Sequence, residues 1–430
     1  MHGNALFSRK VYSLGWLKAT IATAGAQAFR MLGGLITIKI IAIYQGPEGF
    51  GQLGHFMSMI AILGVLAGGG ILNGIVKYVA EYKCAPESLL PFLSNALAYT
   101  LIFSTLLFIA ITLLAKQLSL ILFGGDDFTQ LIIFLGLIQY FYGLVSFCNG
   151  TINGLRETTK FAKIIIYGTL IGLPTSYFLI ITYGFSGAVL GLAVVNACLL
   201  LPALYELQKL EFFKKIKFSI NKQDTIKLSK FSAMQMFSLA TLPLAEMYIR
   251  SLIIQNAGWH EAGLWQGLMR LSSVYVGFFT TFLAAYYMPT LSEILDKNQI
   301  FKYVAKYIII ICCIFILIAV MVYTFREFVF SVIFSEEFII PADYIRYQLT
   351  GDLFKIMSYV IGFLIVAKAK TKLYIMGELA QTAFYLGAAT WLIKVGGVSK
   401  VFPAYAISNF MYFCICLFGL LWFKNTISQN

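Results

Sequence analysis

The chain has 430 residues, of which 60% are hydrophobic and only 12% charged, with a formal net charge of +13 and a mean hydropathy of +0.82. Water-soluble domains run at about 45–50% apolar and about 25% charged, so this composition excludes a soluble enzyme of one to three domains and points to the bilayer as solvent. A charge of +13 also suits a nucleic-acid binder, but here the basic residues are interleaved with apolar runs too long for any groove-reading domain, which excludes nucleic acid as a partner.

In chain order, the amino terminus places Arg9 and Lys10 ahead of an apolar stretch with Arg30 in its middle and no small-residue cleavage site. It reads as a retained terminus and not as a signal peptide. A membrane helix needs about 20 mainly apolar residues. On that measure the Gly/Pro and charge punctuation predicts twelve spans, at about 17–43, 52–77, 91–115, 130–154, 161–183, 186–208, 229–255, 263–290, 302–324, 343–367, 372–394 and 401–423. Backbone in lipid must bond within its own segment, so an all-helical bundle is expected and not a barrel of short alternating strands.

Loop charge sets the orientation. One set of loops holds Arg9/Lys10, Lys77/Lys83, Arg156/Lys160/Lys163, seven lysines from Lys209 to Lys230, Lys297/Lys302/Lys306, Lys368/Lys370/Lys372 and Lys424; the alternate set holds Glu48, Asp126/Asp127, Glu261, Glu327, Glu336/Glu337 and Asp343. The basic set is expected in the cytoplasm, with both termini.

The longest basic linker divides the chain into an amino-terminal bundle of six spans (1–208), a linker (209–228) and a carboxy-terminal bundle of six (229–430). Lys39 with Glu48-Gly49-Phe50-Gly51-Gln52 finds a weak collinear match about 212 residues on, in Arg250 with Glu261-Ala262-Gly263-Leu264-Trp265-Gln266. Two halves of even span count would share one topology and enclose a cavity, which is a transporter architecture. Glycines at Gly64/Gly68, Gly70/Gly74, Gly168/Gly172 and Gly187/Gly191 have the spacing of close helix packing.

Site chemistry for an enzyme is missing. Six of the seven cysteines fall in apolar stretches, the histidines (His2, His55, His260) sit near no acid or cysteine cluster, and there is no phosphate-binding glycine loop. No metal, cofactor or catalytic residue is expected. The informative residues are charges at membrane depth, which are costly and mark function. Glu246 and Arg250 are spaced i,i+4, and Asp352 and Lys355 i,i+3, so each pair can share a helix face and neutralise itself or face a wet cavity; either acid is a candidate for ion coupling. Arg270 has no acid within one turn. Arg30 lies about a dozen residues from either end of its span, about 18 Å deep, and between Glu48 and Glu206 every acid falls in a loop. Its counter-ion must come from elsewhere, either a ligand anion or an acid of the other half. Arginine forks onto phosphate oxygens, so an anion with phosphate groups fits. Lys39, nine residues on, faces about opposite to Arg30 unless Gly33-Gly34 bends the helix. Glu378 reads as interfacial.

The segments GVLAGGGILNGIVKYVAEY (64–82), GLWQG (263–267), MPTLSEI (288–294) and YQLTGDLFKIMSYVIGFLIVAKAKTKLYIMGE (347–378) resemble the Wzx-type flippases of the multidrug/oligosaccharidyl-lipid/polysaccharide (MOP) exporter superfamily, closest to translocases for O-antigen and enterobacterial common antigen units. The resemblance implies an all-α, MATE-like membrane fold of two six-helix bundles around a central cationic cavity. It implies alternating-access movement of undecaprenyl-diphosphate-linked oligosaccharide from the cytoplasmic to the periplasmic leaflet of a bacterial inner membrane. Substrate, membrane lipids and a polysaccharide polymerase with its chain-length regulator are the implied partners. Carried onto this chain, the family-like positions are Arg30, Lys39, Lys77, Arg250, Asp352 and Lys355; Arg270 departs from the pattern and rests on depth alone. Related readings are a drug/cation antiporter, which would want deep acids without bases, a peptidoglycan-precursor flippase, which usually carries extra carboxy-terminal helices, and a membrane polymerase or glycosyltransferase, which would want a large outer loop.

Overall fold

A computed structural model describes the backbone of residues 3–210, 213–239, 241–294, 296–368 and 371–425. The side chains of Arg9, Lys10, Lys297, Lys370, Lys372 and Lys424, which enter the charge argument, lie outside the described residues.

The described chain is helical apart from short connections. Its helices are α1 (Gly3–Leu66), α2 (Leu72–Tyr82), α3 (Pro86–Phe123), α4 (Thr129–Gly154), α5 (Thr158–Ala197), α6 (Leu200–Gln208), α7 (Lys222–Leu239), α8 (Thr241–Phe282), α9 (Met288–Glu293), α10 (Lys297–Thr324), α11 (Arg326–Ile333), α12 (Ala342–Ala367), α13 (Thr371–Gly396) and α14 (Val401–Asn425). The predicted spans fall on these helices, with span 52–77 interrupted by a short turn at Ala67–Gly69, span 186–208 by one at Cys198-Leu199, span 229–255 divided between α7 and α8, and span 263–290 between α8, a wider turn at Leu283–Tyr287 and α9. By length and composition, seven described helical stretches can cross a membrane, and two of them run 60 and 51 residues, more than one crossing needs.

The long helices turn corners at single glycines. Gly46 interrupts α1 with φ 59° and ψ −174°, and Gly258 interrupts α8 with φ 84° and ψ −178°. A side chain at positive φ is strained, so glycine is the residue that stops a helix this way. Pro47 then restarts α1, because its missing N–H costs nothing in a first turn. The two corners lie 212 residues apart, the spacing of the repeat suggested by sequence. Gly184 makes a third corner in α5. Elsewhere ends are capped: the Gly124 N–H bonds Leu120 O behind α3, and the Asp296 side chain accepts from the Asn298 and Gln299 amides ahead of α10.

The chain forms two compact units, residues 1–45 with 55–243, and residues 46–54 with 244–430. In the first, an apolar cluster that includes Ile75, Phe92, Leu93, Phe147, Ile165 and Leu199 ties α2 to α6. Lipid tails are as apolar as leucine, so such helices are held by closeness and not by escape from water. Accordingly Gly168 lies against Leu199, Gly172 against the Val195 backbone, and Gly191 against Ser176. Gly64, by contrast, has open space around it, and Gly68 adopts φ 64° in the turn after α1. Of that pair only Gly68 packs closely, against Thr100 of α3 and Gly143 of α4. In the second unit, Phe50 meets Phe334 and Phe338 edge-on, with centroids 5.8 and 5.6 Å away. There Gly51 and Gly263 cross so closely that a Cβ on either would collide with backbone of the other strand of chain, the Trp259 or the Pro47 carbonyl.

Candidate functional site

In the first unit, α1 carries Arg30 and Lys39. Arg30 is exposed, and its Nη2 donates to the Asn196 side-chain oxygen of α5 at 2.8 Å. No carboxylate pairs with it among the described residues. A neutral amide satisfies one N–H of five and leaves the positive charge uncompensated. α1 stays helical through Gly33-Gly34, so Lys39, half-buried, keeps its place about opposite Arg30. Lys77 sits on α2, exposed, with its ammonium 4.9 Å from the Tyr78 ring centroid and 5.8 Å from that of Phe231. These three cations have separate surroundings. Near Lys77, Lys227 of α7 bonds Asp224 at 2.8 Å and the Tyr82 hydroxyl at 3.0 Å. The bond to Asp224, then that to Tyr82, holds this ammonium well above the usual lysine range.

The second unit gathers more charge. Arg250 of α8 is fully buried; its Nη2 donates to the Gln266 side-chain oxygen at 2.6 Å and its guanidinium lies 5.5 Å from the Trp265 ring centroid. Gly54 makes room for it, since a Cβ there would run into the guanidinium. Glu246, one turn before and half-buried, lies within electrostatic range of Arg250, Arg270 and Lys355. Asp352 and Glu378 are within the same range of Lys355. Arg270 is half-buried, and its Nε is enclosed without a hydrogen-bond partner.

Asp352 of α12 is fully buried, yet it turns to neutral donors and not to Lys355. Its Oδ1 accepts from Ser272 and Tyr405 hydroxyls at 2.7 Å each, and its Oδ2 from the Tyr275 hydroxyl at 2.5 Å and Gln348 Nε2 at 3.2 Å. Four donors meet the acceptor demand of an ionised carboxylate in full. They come from α8, α12 and α14, so the carboxylate ties three helices together. Lys355, half-buried one turn on, has its ammonium 5.7 Å from the Tyr405 ring centroid and makes no ion pair with Asp352 within 4.0 Å, although it lies within electrostatic range. Of these partners, Gln348 is the one signalled by sequence, four residues before Asp352 on the same face. Asn196, Ser272, Tyr275 and Tyr405 come from other helices than the charges they meet, and Gln266 reaches Arg250 from beyond the Gly258 corner of α8, so no single-turn spacing marks them.

The described molecule is a multi-pass helical membrane protein with charged side chains buried among its helices. Residues 16–295 match the model of the "Polysaccharide biosynthesis protein" family, and the chain belongs to that family. It is 33% identical over 408 residues to proteins named "Lipid III flippase" from Escherichia coli (strain K12) and from Shigella flexneri, an alignment spanning 94% of this chain and 98% of each relative. Its fold is that of an inward-facing multidrug resistance MATE family transporter of the MOP superfamily, with a TM-score of 0.70 at 17% identity over 95% of this chain and 98% of the other.

Proposed function

We propose that this protein is a flippase that moves an undecaprenyl-diphosphate-linked oligosaccharide, an O-antigen or enterobacterial common antigen repeat unit, from the cytoplasmic to the periplasmic leaflet of a bacterial inner membrane by alternating access. The observation that carries the reading is Arg30: a guanidinium on a membrane helix whose partner is the neutral Asn196 amide. Such a group is ready to exchange an amide oxygen for phosphate oxygens, to which it binds bidentately and with greater strength. The relatives named as flippases support the class. Within the proposal, Arg30, Lys39 and Lys77 of the first unit and Arg250, Arg270 and Lys355 of the second receive diphosphate and glycan. Because Arg250 is fully buried beside Gly54, it acts on substrate only after the second unit rearranges. Glu246 and Asp352 are the proposed coupling or charge-balancing acids. Both termini and the Lys209–Lys230 region are assigned to the cytoplasm by the positive-inside rule.

The test is transport in a strain lacking its own flippase. Arg30→Ala should abolish surface glycan at unchanged protein level, while Arg30→Lys, which keeps the charge and loses the fork, should retain part of it. Normal display by Arg30→Ala would remove the reading.

A further inference from the structure

The connector between α6 and α7 carries a surface that the transport reading does not use. After a short turn at Phe213–Lys215 the chain runs without helix to Lys222. It is pinned nonetheless. The Lys217 amide donates to Ser94 Oγ at 3.1 Å, the Asn221 amide to Asn95 Oδ1 at 2.7 Å, and the Thr225 hydroxyl to the same oxygen at 3.0 Å. Phe213 and Ile216 pack against the apolar cluster of the first unit.

Beyond those two anchors, Phe218 is 61% exposed and Ile220 62%. Lys214, Lys215, Lys217 and Lys222 are exposed around them. None of the four has an acidic partner among the described residues, although the neighbouring Lys209 and Lys227 are paired with Glu206 and Asp224 at 2.8 Å each. Glu206 and Asp224 are therefore already taken, while Glu211 lies outside the described residues. A fixed backbone that holds two large apolar side chains outward among four exposed ammonium groups matches one environment well: the membrane interface, where apolar groups enter the acyl boundary and ammonium groups meet lipid phosphates.

Chain continuity puts the connector at that level. Gln208 ends a helical stretch, Thr158–Gln208, long and apolar enough to cross the bilayer, and Ser94 and Asn95 lie in the early turns of another, Pro86–Phe123. The connector therefore starts where one span leaves the hydrocarbon and is pinned near the end of a second.

We propose that Lys214–Lys222 is a docking strap for anionic phospholipid headgroups, with Phe218 and Ile220 seated at the acyl boundary and Lys214, Lys215, Lys217 and Lys222 on the phosphates. The strap fixes the end of the first unit at the lipid surface, and it stands whatever substrate the transporter moves. Near an anionic surface each lysine adds a factor of about five in binding, so the four together discriminate strongly between lipid compositions.

Hydrogen exchange read by mass spectrometry tests this on the full chain in nanodiscs. Amides of 213–222 should exchange more slowly in discs containing phosphatidylglycerol than in phosphatidylcholine discs, and salt should erase the difference. A variant with Lys214, Lys215, Lys217 and Lys222 changed to Gln should lose it, and Phe218→Ser with Ile220→Ser should weaken it while the charges remain. Exchange in α4 reports whether each variant is folded. Should the lysine variant misfold, the salt dependence of the unaltered protein decides. Equal exchange in the two kinds of disc overturns the proposal, as does equal protection from inorganic phosphate added to phosphatidylcholine discs, which would make the strap a simple anion site.

Discussion

At the scale of single residues, the second unit solves an expensive problem with neutral groups. A buried carboxylate without donors would not persist, and Asp352 is satisfied by three hydroxyls and an amide. Asp352→Asn would aim a new N–H at groups that themselves donate, leaving at least one buried donor without a partner. An unsatisfied buried polar group costs about 1–3 kcal/mol, so the variant should melt at a lower temperature in detergent, whereas Lys355→Gln, outside this cage, should melt close to the parent. Sequence alone marks Asp352 as a charge at depth but suggests Lys355 as its partner, because spacing within one helix is legible. Ser272, Tyr275 and Tyr405 arrive from two other helices, and only packing brings them there. Arg30 shows the same limit from the other side. Its depth and its lack of a nearby acid are readable from the spans, while Asn196, 166 residues away, is not.

At the scale of elements, hydropathy places the helices well because crossing length is a physical constant of the bilayer. It fails at corners. A Gly-Pro pair between two apolar runs reads as a loop, yet Gly46-Pro47 is a single-residue joint in one helical run. Glycine spacing is similarly ambiguous: Gly168/Gly172 contact α5–α6 backbone and side chains, Gly64 contacts nothing within 4 Å, and the pattern is the same. At the crossing of Gly51 and Gly263 the obstructing atoms are main-chain carbonyls, which cannot swing aside as side chains do. Gly51→Ala and Gly263→Ala should each destabilise the second unit by about 1–3 kcal/mol, the range of overpacking. Since both fill one gap, the double variant should cost less than the sum of the two, measured by thermal unfolding.

At the scale of the molecule, the charge of +13 separates into two populations. Most of it is loop lysine, on which the proposed orientation rests, and a small remainder sits on helices at depth. If that remainder carries a diphosphate outward as proposed, each negative charge gains about 2.3 kcal/mol per 100 mV of inside-negative potential. Collapsing the potential with valinomycin and potassium should then slow flipping in vesicles that contain the purified protein; an unchanged rate would assign the driving force elsewhere. The glycine corners have a practical side as well. Where a joint is one residue long, there is no spare chain to cut, label or extend. A protease or an inserted epitope should therefore be tolerated poorly at Gly46, Gly184 and Gly258, and better between α3 and α4 (Gly124–Phe128), where Asp126 and Asp127 are exposed, which makes that connection the place to build a tag for following this protein in living cells.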